Sequence, residues 1–310
     1  MHTSPQFHCI GYGLWTEVLT IRVAEDWEEA LRISPFVREI RCLDGVITPN
    51  RREVLSLFPK LYAASVECHS DVKNDNANRF AYRNVFTKLP GSLRRLEIKH
   101  AHGPDINVIK MVKSYSPDLE ELRLGRCTMF NCTPACLFWE NFPFDHNSYI
   151  SDQGTDAYTH SLGQELAPLH KLTAISLGVY LTPSDIVLVH RVFHSRNLAV
   201  PNEIGWQQAL QMVAGHQAGD NEDQQNLQRV RDLVSLLHTP PQPEENFSRD
   251  ACRFCYDHSY ELTKRAEDSA NAILKQLIPS LEKTEWMSWF TPNHLGVSTH
   301  MYRTTNSFKI

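Results

Sequence analysis

Excess charge of one sign, long apolar runs and glycine-rich loops are all scarce in this chain. Lys and Arg number 31 against 36 Asp and Glu, a formal net charge of -5, which leaves no strong positive field to hold a phosphate backbone or an anionic membrane. Neither nucleic acid nor a membrane surface is an expected partner. The least charged stretch, Leu172 to His190, is broken at its middle by Thr182-Pro-Ser-Asp185, a turn and helix start rather than a membrane span. No Lys or Arg precedes Arg22 and no apolar segment lies behind it, so neither a secretory signal nor a basic transit peptide is predicted, and the expected compartment is cytoplasmic or nuclear. Eight cysteines among 310 residues are too dilute for a disulfide scaffold and should be reduced thiols, and the sequons at Asn131 and Asn246 are then incidental. A Walker loop, a Rossmann glycine run, a Gly-x-Ser-x-Gly elbow and the kinase motifs are missing, and Gly11-Tyr-Gly13 by itself specifies nothing. Neither a cofactor nor an enzymatic activity is expected.

A recurring phrase is present instead. Alternating apolar segments occur at Pro35-Phe-Val-Arg-Glu-Ile-Arg-Cys42, Pro59-Lys-Leu-Tyr-Ala-Ala-Ser-Val66, Pro90-Gly-Ser-Leu-Arg-Arg-Leu-Glu-Ile98, Pro117-Asp-Leu-Glu-Glu-Leu-Arg-Leu124, His170-Lys-Leu-Thr-Ala-Ile-Ser-Leu177 and Pro279-Ser-Leu-Glu-Lys-Thr-Glu-Trp286. Each approximates Leu-x-x-Leu-x-Leu, whose last two apolar residues point to one face of a strand while their polar neighbours point to the other. The preceding segments change to helical period, as in Val54, Leu55 and Phe58, or Ile106, Ile109, Met111 and Val112. Proline suits the junction because it cannot continue a helix and its fixed φ favours the extended turn that follows. A degenerate copy is predicted at Val18 to Val23, followed by a helix from Trp27 to Arg32 that Asp26 caps.

The leading prolines mark units of 24, 31 and 27 residues. Periods of this size, with strand after helix, predict an α/β chain in the form of an irregular leucine-rich-repeat-like solenoid, with parallel strands on one face and helices on the other. A doubly wound sheet would show the same alternation, but its strands are usually apolar on both faces and carry a glycine-rich phosphate loop. Residues 1-200 form the predicted solenoid, interrupted at 127-160 by an insertion rich in Cys, Phe, Asn and Pro. Residues 201-249 read as an acidic, Pro-rich mobile linker, with one helix around Asn226 to His238. Residues 250-310 read as a helix-strand unit that caps the same stack, opening with a helix from Asp250 to Leu277.

Leu89-Pro-Gly-Ser-Leu-Arg-Arg-Leu-Glu-Ile98, Ser116-Pro-Asp-Leu-Glu-Glu-Leu-Arg-Leu124 and Leu277-Ile-Pro-Ser-Leu-Glu-Lys-Thr-Glu-Trp-Met-Ser-Trp-Phe290 resemble the divergent leucine-rich-repeat proteins of mushroom-forming (basidiomycete) fungi, F-box and F-box-like. The likeness covers most of the chain loosely. It implies a repeat domain that selects a protein target, in F-box members for ubiquitination through a bound adaptor. The F-box, a helical segment of about forty to fifty residues opening with a Leu-Pro-x-Glu type sequence, has no counterpart in residues 1-20. Target binding without the ubiquitin-ligase adaptor is the expectation that results.

On that reading the polar positions of the strands form rows on an exposed sheet, and Arg41, Glu67, Arg95, Glu97 and Arg123 are the expected contacts for a protein partner, with Arg favoured at binding hot spots. An alternative is a zinc-binding protein that uses Cys252-x-x-Cys255-x-x-His258, where three ligands are in place and no fourth is nominated. The plainer reading of Cys255 is the start of a buried helical stripe with Leu262, Ala266, Ile273 and Leu277. Cys127, Cys132 and Cys136 match no common metal module, and with Trp139, Phe142 and Phe144 they predict a packed aromatic loop. His190 and His194 share a helix face without the Glu of a zinc protease. An unrecognised hydrolase remains a third reading, since catalytic groups are brought together by the fold rather than by sequence order.

Overall fold

A computed structural model describes residues 17–69, 85–102, 105–128, 130–131, 136, 138–139, 149–151, 154–184, 186–187, 190, 253–291 and 294–302. Its strands are β1 Val18–Ile21, β2 Glu39–Cys42, β3 Ala63–Glu67, β4 Arg95–Ala101, β5 Glu121–Arg126, β6 Ala174–Tyr180, β7 Lys283–Ser288 and β8 Gly296–Met301. They form one sheet in sequence order, parallel from β1 to β7, with β8 antiparallel against β7. Because the order never reverses, the sheet lacks the switch point of a doubly wound fold. The helices are α1 Asp26–Arg32, α2 Ile106–Tyr115, α3 Thr155–Leu166 and α4 Arg253–Leu277, with short 3-10 turns at Pro49–Arg51 and Val54–Leu57.

Strands β3 to β7 are entered the same way. The N–H groups of Leu61, Leu93, Leu119, Leu172 and Leu281 each close a turn on the carbonyl three residues earlier, and all five leucines are completely buried. Over the next two residues the chain joins the previous unit. The carbonyls of Arg38, Tyr62, Arg94, Glu120 and Thr173 each accept two successive N–H groups from the next strand, so every unit starts at the same level as its neighbour. The Ser92 and Ser280 hydroxyls repeat the link by donating to the carbonyls of Leu61 and Leu172.

With the entry fixed, side-chain period does the rest. Ile40, Ala64, Leu96, Leu122 and Ile175 form one inward row, and Cys42, Val66, Ile98, Leu124, Leu177 and Trp286 form the next. Both rows belong to a continuous core with Val108, Ile109 and Val112 of α2, Leu162 and Leu166 of α3, and Ala270 and Leu274 of α4. The helices therefore cover one face of the sheet and the polar positions face away from them. At the other end, Trp27 of α1 is fully buried and its indole N–H donates to the Val46 carbonyl at 2.9 Å.

Some local expectations change. Asp26 does not cap α1; its carboxylate reaches back to accept from the Arg22 and Val23 N–H groups, which tightens the turn after β1. The helical segment at Val54 to Phe58 is a single 3-10 turn, too short for a full apolar stripe. α3 begins at Thr155, inside the stretch read from the sequence as an insertion ending at 160, because its first turns carry few apolar residues to announce them. β8 was not anticipated from the sequence: Gly296-Val-Ser-Thr-His-Met301 lacks both the leading leucine and the proline. The linker at 201-249 and the helix around Asn226 to His238 lie outside the described residues. Among the described residues no helix is long and apolar enough to cross a membrane.

α3 and α4 touch where Gly163 faces Leu277. A Cβ at Gly163 would stand 2.6 Å from Leu277 Cδ1 and 3.3 Å from its Cβ. Gly163→Ala should therefore destabilise the fold by about 1–3 kcal/mol through overpacking. Adding Leu277→Ala should cost less in that background than in the parent, and a double-mutant cycle in urea denaturation measures this coupling.

Candidate functional site

The outward positions form the rows that strand alternation predicts. Glu39, Ala63, Arg95, Glu121, Ala174 and Lys283 share one level, and Arg41, Ser65, Glu97, Arg123, Ser176 and Glu285 share the next. Most of these charges meet a partner on the same surface. Arg41 pairs with Glu39 at 2.7 Å, Lys99 with Glu97 at 3.4 Å and Lys283 with Glu285 at 2.5 Å. Glu121 bridges two arginines, accepting from Arg123 Nε at 2.6 Å and pairing with Arg95 at 3.5 Å. The hydrogen bond to Glu121, against partial burial, raises the Arg123 pKa further above its ordinary value. Arg95 also lies over the Tyr62 ring, 5.6 Å from its centroid. Between the rows runs a shallow groove of about 390 Å³, lined by Arg41, Ser65, Arg95, Glu97, Glu121 and Arg123. Glu67 lies one level further along, where its carboxylate meets His100 Nδ1 at 2.6 Å.

A second constellation sits at the carboxyl ends of β3, β4 and β5. His69 follows β3, His102 follows β4, Cys127 follows β5, and Cys136 returns from the segment beyond; one donor atom from each lies within 4.8 Å of the others. His102 and Cys127 are buried, while His69 and Cys136 are partly accessible. Cys136 Sγ stands 3.8 Å from Cys127 Sγ and 3.2 Å from His102 Nε2. Hydrogen bonding from Cys127, and then from His102 and His69, outweighs burial and holds the Cys136 thiol far below its ordinary range. Burial has the opposite effect on Cys42, an ordinary core thiol pushed up to about 12.

A break in register brings this group together. β4 pairs Ile98 with Leu124 but Ala101 with Arg126, so it holds one more residue than β5 between the two pairs. The extra residue is accommodated around His100, at φ 51. Cys127 N–H then donates to the Ala101 carbonyl, which sets His102 level with Cys127. Gly125 makes room for the bulge: a Cβ there would lie 2.9 Å from the Ile98 carbonyl oxygen.

Comparison with protein-family models, curated proteins and solved structures found no match.

Of the Cys252, Cys255 and His258 trio, Cys252 lies outside the described residues, Cys255 is buried with its thiol 3.6 Å from His190 Nδ1, and His258 is exposed. His194, the other half of the histidine pair, is likewise outside them. The aromatic character of the insertion is evident in its described part. Phe138, Trp139 and Tyr149 are buried, and Phe130 reaches across to Tyr180 and Trp289 with ring centroids 5.8 and 5.1 Å away. The Asn131 side chain ties the start of this segment, donating to the Arg126 carbonyl and accepting from Thr128 N–H.

Reasoning from the sequence identified Cys127 and Cys136 but rejected them on spacing. The two histidines were missed because they belong to different units, 33 residues apart in the chain. The available signal was position: His69 and Cys127 each stand three places after the last apolar residue of their repeat, and His102 four places after its own.

Arg126 anchors the neighbourhood through a buried ion pair with Asp105, Nη2 to Oδ2 2.6 Å, the two side chains only 6% and 7% exposed. Asp105→Ala should cost about 3–5 kcal/mol because it removes the carboxylate from a buried ion pair. Asp105→Ala with Arg126→Met should recover much of that loss, as read from the urea midpoints of the two variants.

Proposed function

We propose that this chain is a leucine-rich-repeat-like solenoid that works as a protein-binding module, through the charged strand face that holds Arg41, Glu67, Arg95, Glu97 and Arg123. The observation that carries the reading is the exposed groove at the centre of that face, flanked by rows of alternating charge and backed by a sheet whose other side is committed to the core. Strands added one by one in sequence order, with β3 to β7 each entered through the same buried leucine turn, are the arrangement a stack of repeats requires. The resemblance to the divergent F-box-like repeat proteins supports the same assignment of task, target selection, without adaptor coupling.

The ion pairs within the face are compatible with that role. A guanidinium already held by a neighbouring carboxylate loses less side-chain freedom when a partner arrives, and mixed charge confers orientation and specificity more than raw affinity. Because the pairs are largely solvent-exposed, each contributes little to stability, so altering them should leave the fold intact.

Reversing Arg95 and Arg123 together to Glu is the direct test. The partner recovered from native extract by the parent chain should bind the double variant at least about 30-fold more weakly, the loss expected of a hot spot worth 2 kcal/mol. The melting temperature should shift by no more than a few degrees. Undiminished binding would refute the reading, as would loss of folding in both this variant and the single reversal Arg41→Glu.

A further inference from the structure

We propose that His69, His102, Cys127 and Cys136 form a structural zinc site that clips the segment following β5 onto the carboxyl ends of β3, β4 and β5. The site is independent of the protein-binding reading and uses none of the groove residues.

The donor set comes first. Two thiols and two imidazoles converge, and no carboxylate belongs to the group, a combination that suits zinc and disfavours the oxygen-seeking Mg²⁺ and Ca²⁺. With both thiols deprotonated and both imidazoles neutral, a Zn²⁺ ion makes the buried site electrically neutral, which removes the cost of leaving a lone charge there. Four protein ligands leave no coordination position open for water, so the role is structural and not hydrolytic.

Distances agree. Tetrahedral zinc with bonds of about 2.3 Å to sulfur and 2.05 Å to nitrogen separates two sulfurs by about 3.8 Å, and a sulfur from a nitrogen by about 3.6 Å. Cys127 Sγ and Cys136 Sγ are 3.8 Å apart, and Cys136 Sγ is 3.2 Å from His102 Nε2. Metal entry requires the sulfur and nitrogen to part by a few tenths of an ångström, within reach of the partly accessible Cys136. A disulfide requires sulfurs at about 2.05 Å and accounts for neither histidine.

The backbone supports the assignment. Three ligands occupy the carboxyl ends of neighbouring parallel strands, and the bulge at His100 over Gly125 is the irregularity that levels His102 with Cys127. Bulges of this kind re-aim side chains next to functional sites.

The test uses the full chain, expressed without added metal and purified without chelator. Elemental analysis should find about one equivalent of zinc, and exchange with Co²⁺ should give the visible bands of a tetrahedral ion together with thiolate charge-transfer absorption. Cys136→Ser should reduce the bound zinc at least about tenfold with far-UV circular dichroism retained, whereas His258→Ala should leave it unchanged. Should Cys136→Ser not fold, the cobalt spectrum of the parent chain decides: a tetrahedral dithiolate signature supports the site and its absence overturns it. Three other results would also overturn it: less than about a tenth of an equivalent of metal on folded parent chain, a Cys127–Cys136 disulfide in freshly purified protein, or zinc that survives Cys136→Ser and disappears with His258→Ala.

Discussion

A single backbone carbonyl, shared by two N–H groups of the next unit, sets the geometry of everything above it. Arg38, Tyr62, Arg94, Glu120 and Thr173 supply it in turn, and each is preceded by a buried apolar residue, Val37, Leu61, Leu93, Leu119 or Leu172. The turn buries its leading side chain and presents its carbonyl in one movement, so hydrophobic burial and hydrogen bonding are satisfied at the same step. A strand that begins one residue late would exchange its core row for its polar row, which is why this junction is so uniform while the segments between strands vary in length and structure. Rows of charge on one side and rows of apolar side chains on the other both follow from it.

Against that uniformity the end of β4 is informative. The ladder holds register through Ile98 and then takes in an extra residue around His100, whose ring is held by Glu67 of the polar face. One irregularity thus adjoins both candidate sites: Glu67 belongs to the outward face, and His102 two residues on belongs to the His/Cys group. The two remain chemically distinct. The groove presents charged groups already paired among themselves at an open surface, whereas the group beyond the strand ends gathers soft donors in a partly enclosed space.

The strands were legible in the sequence to a degree the sites were not. Leu-x-x-Leu-x-Leu identifies β2 to β7 because each copy states both its turn and its strand within eight residues. The weaker copy at Val18 still marks β1. β8 escaped because it has no leucine turn of its own; it takes its place from pairing with β7, a tertiary cause that no local pattern records. The polar rows could be named in advance because alternation fixes which residues face outward, but the pairing of Arg95 and Arg123 with one Glu121 required the register. The His/Cys group was hidden for a different reason. Familiar metal motifs place ligands in close pairs along one segment, while here they lie on three successive units, and a backbone bulge aligns one of them.

β8 has one more implication. An all-parallel stack ends in a strand whose exposed edge is complementary to the first strand of an identical molecule, an invitation to endless head-to-tail growth. Reversing direction at β8 replaces that edge with one of opposite polarity, so a second copy arriving in the same orientation finds no continuation of the ladder at β7. Among the described residues the hairpin thus gives the sheet an outer strand that runs against the direction shared by β1 to β7.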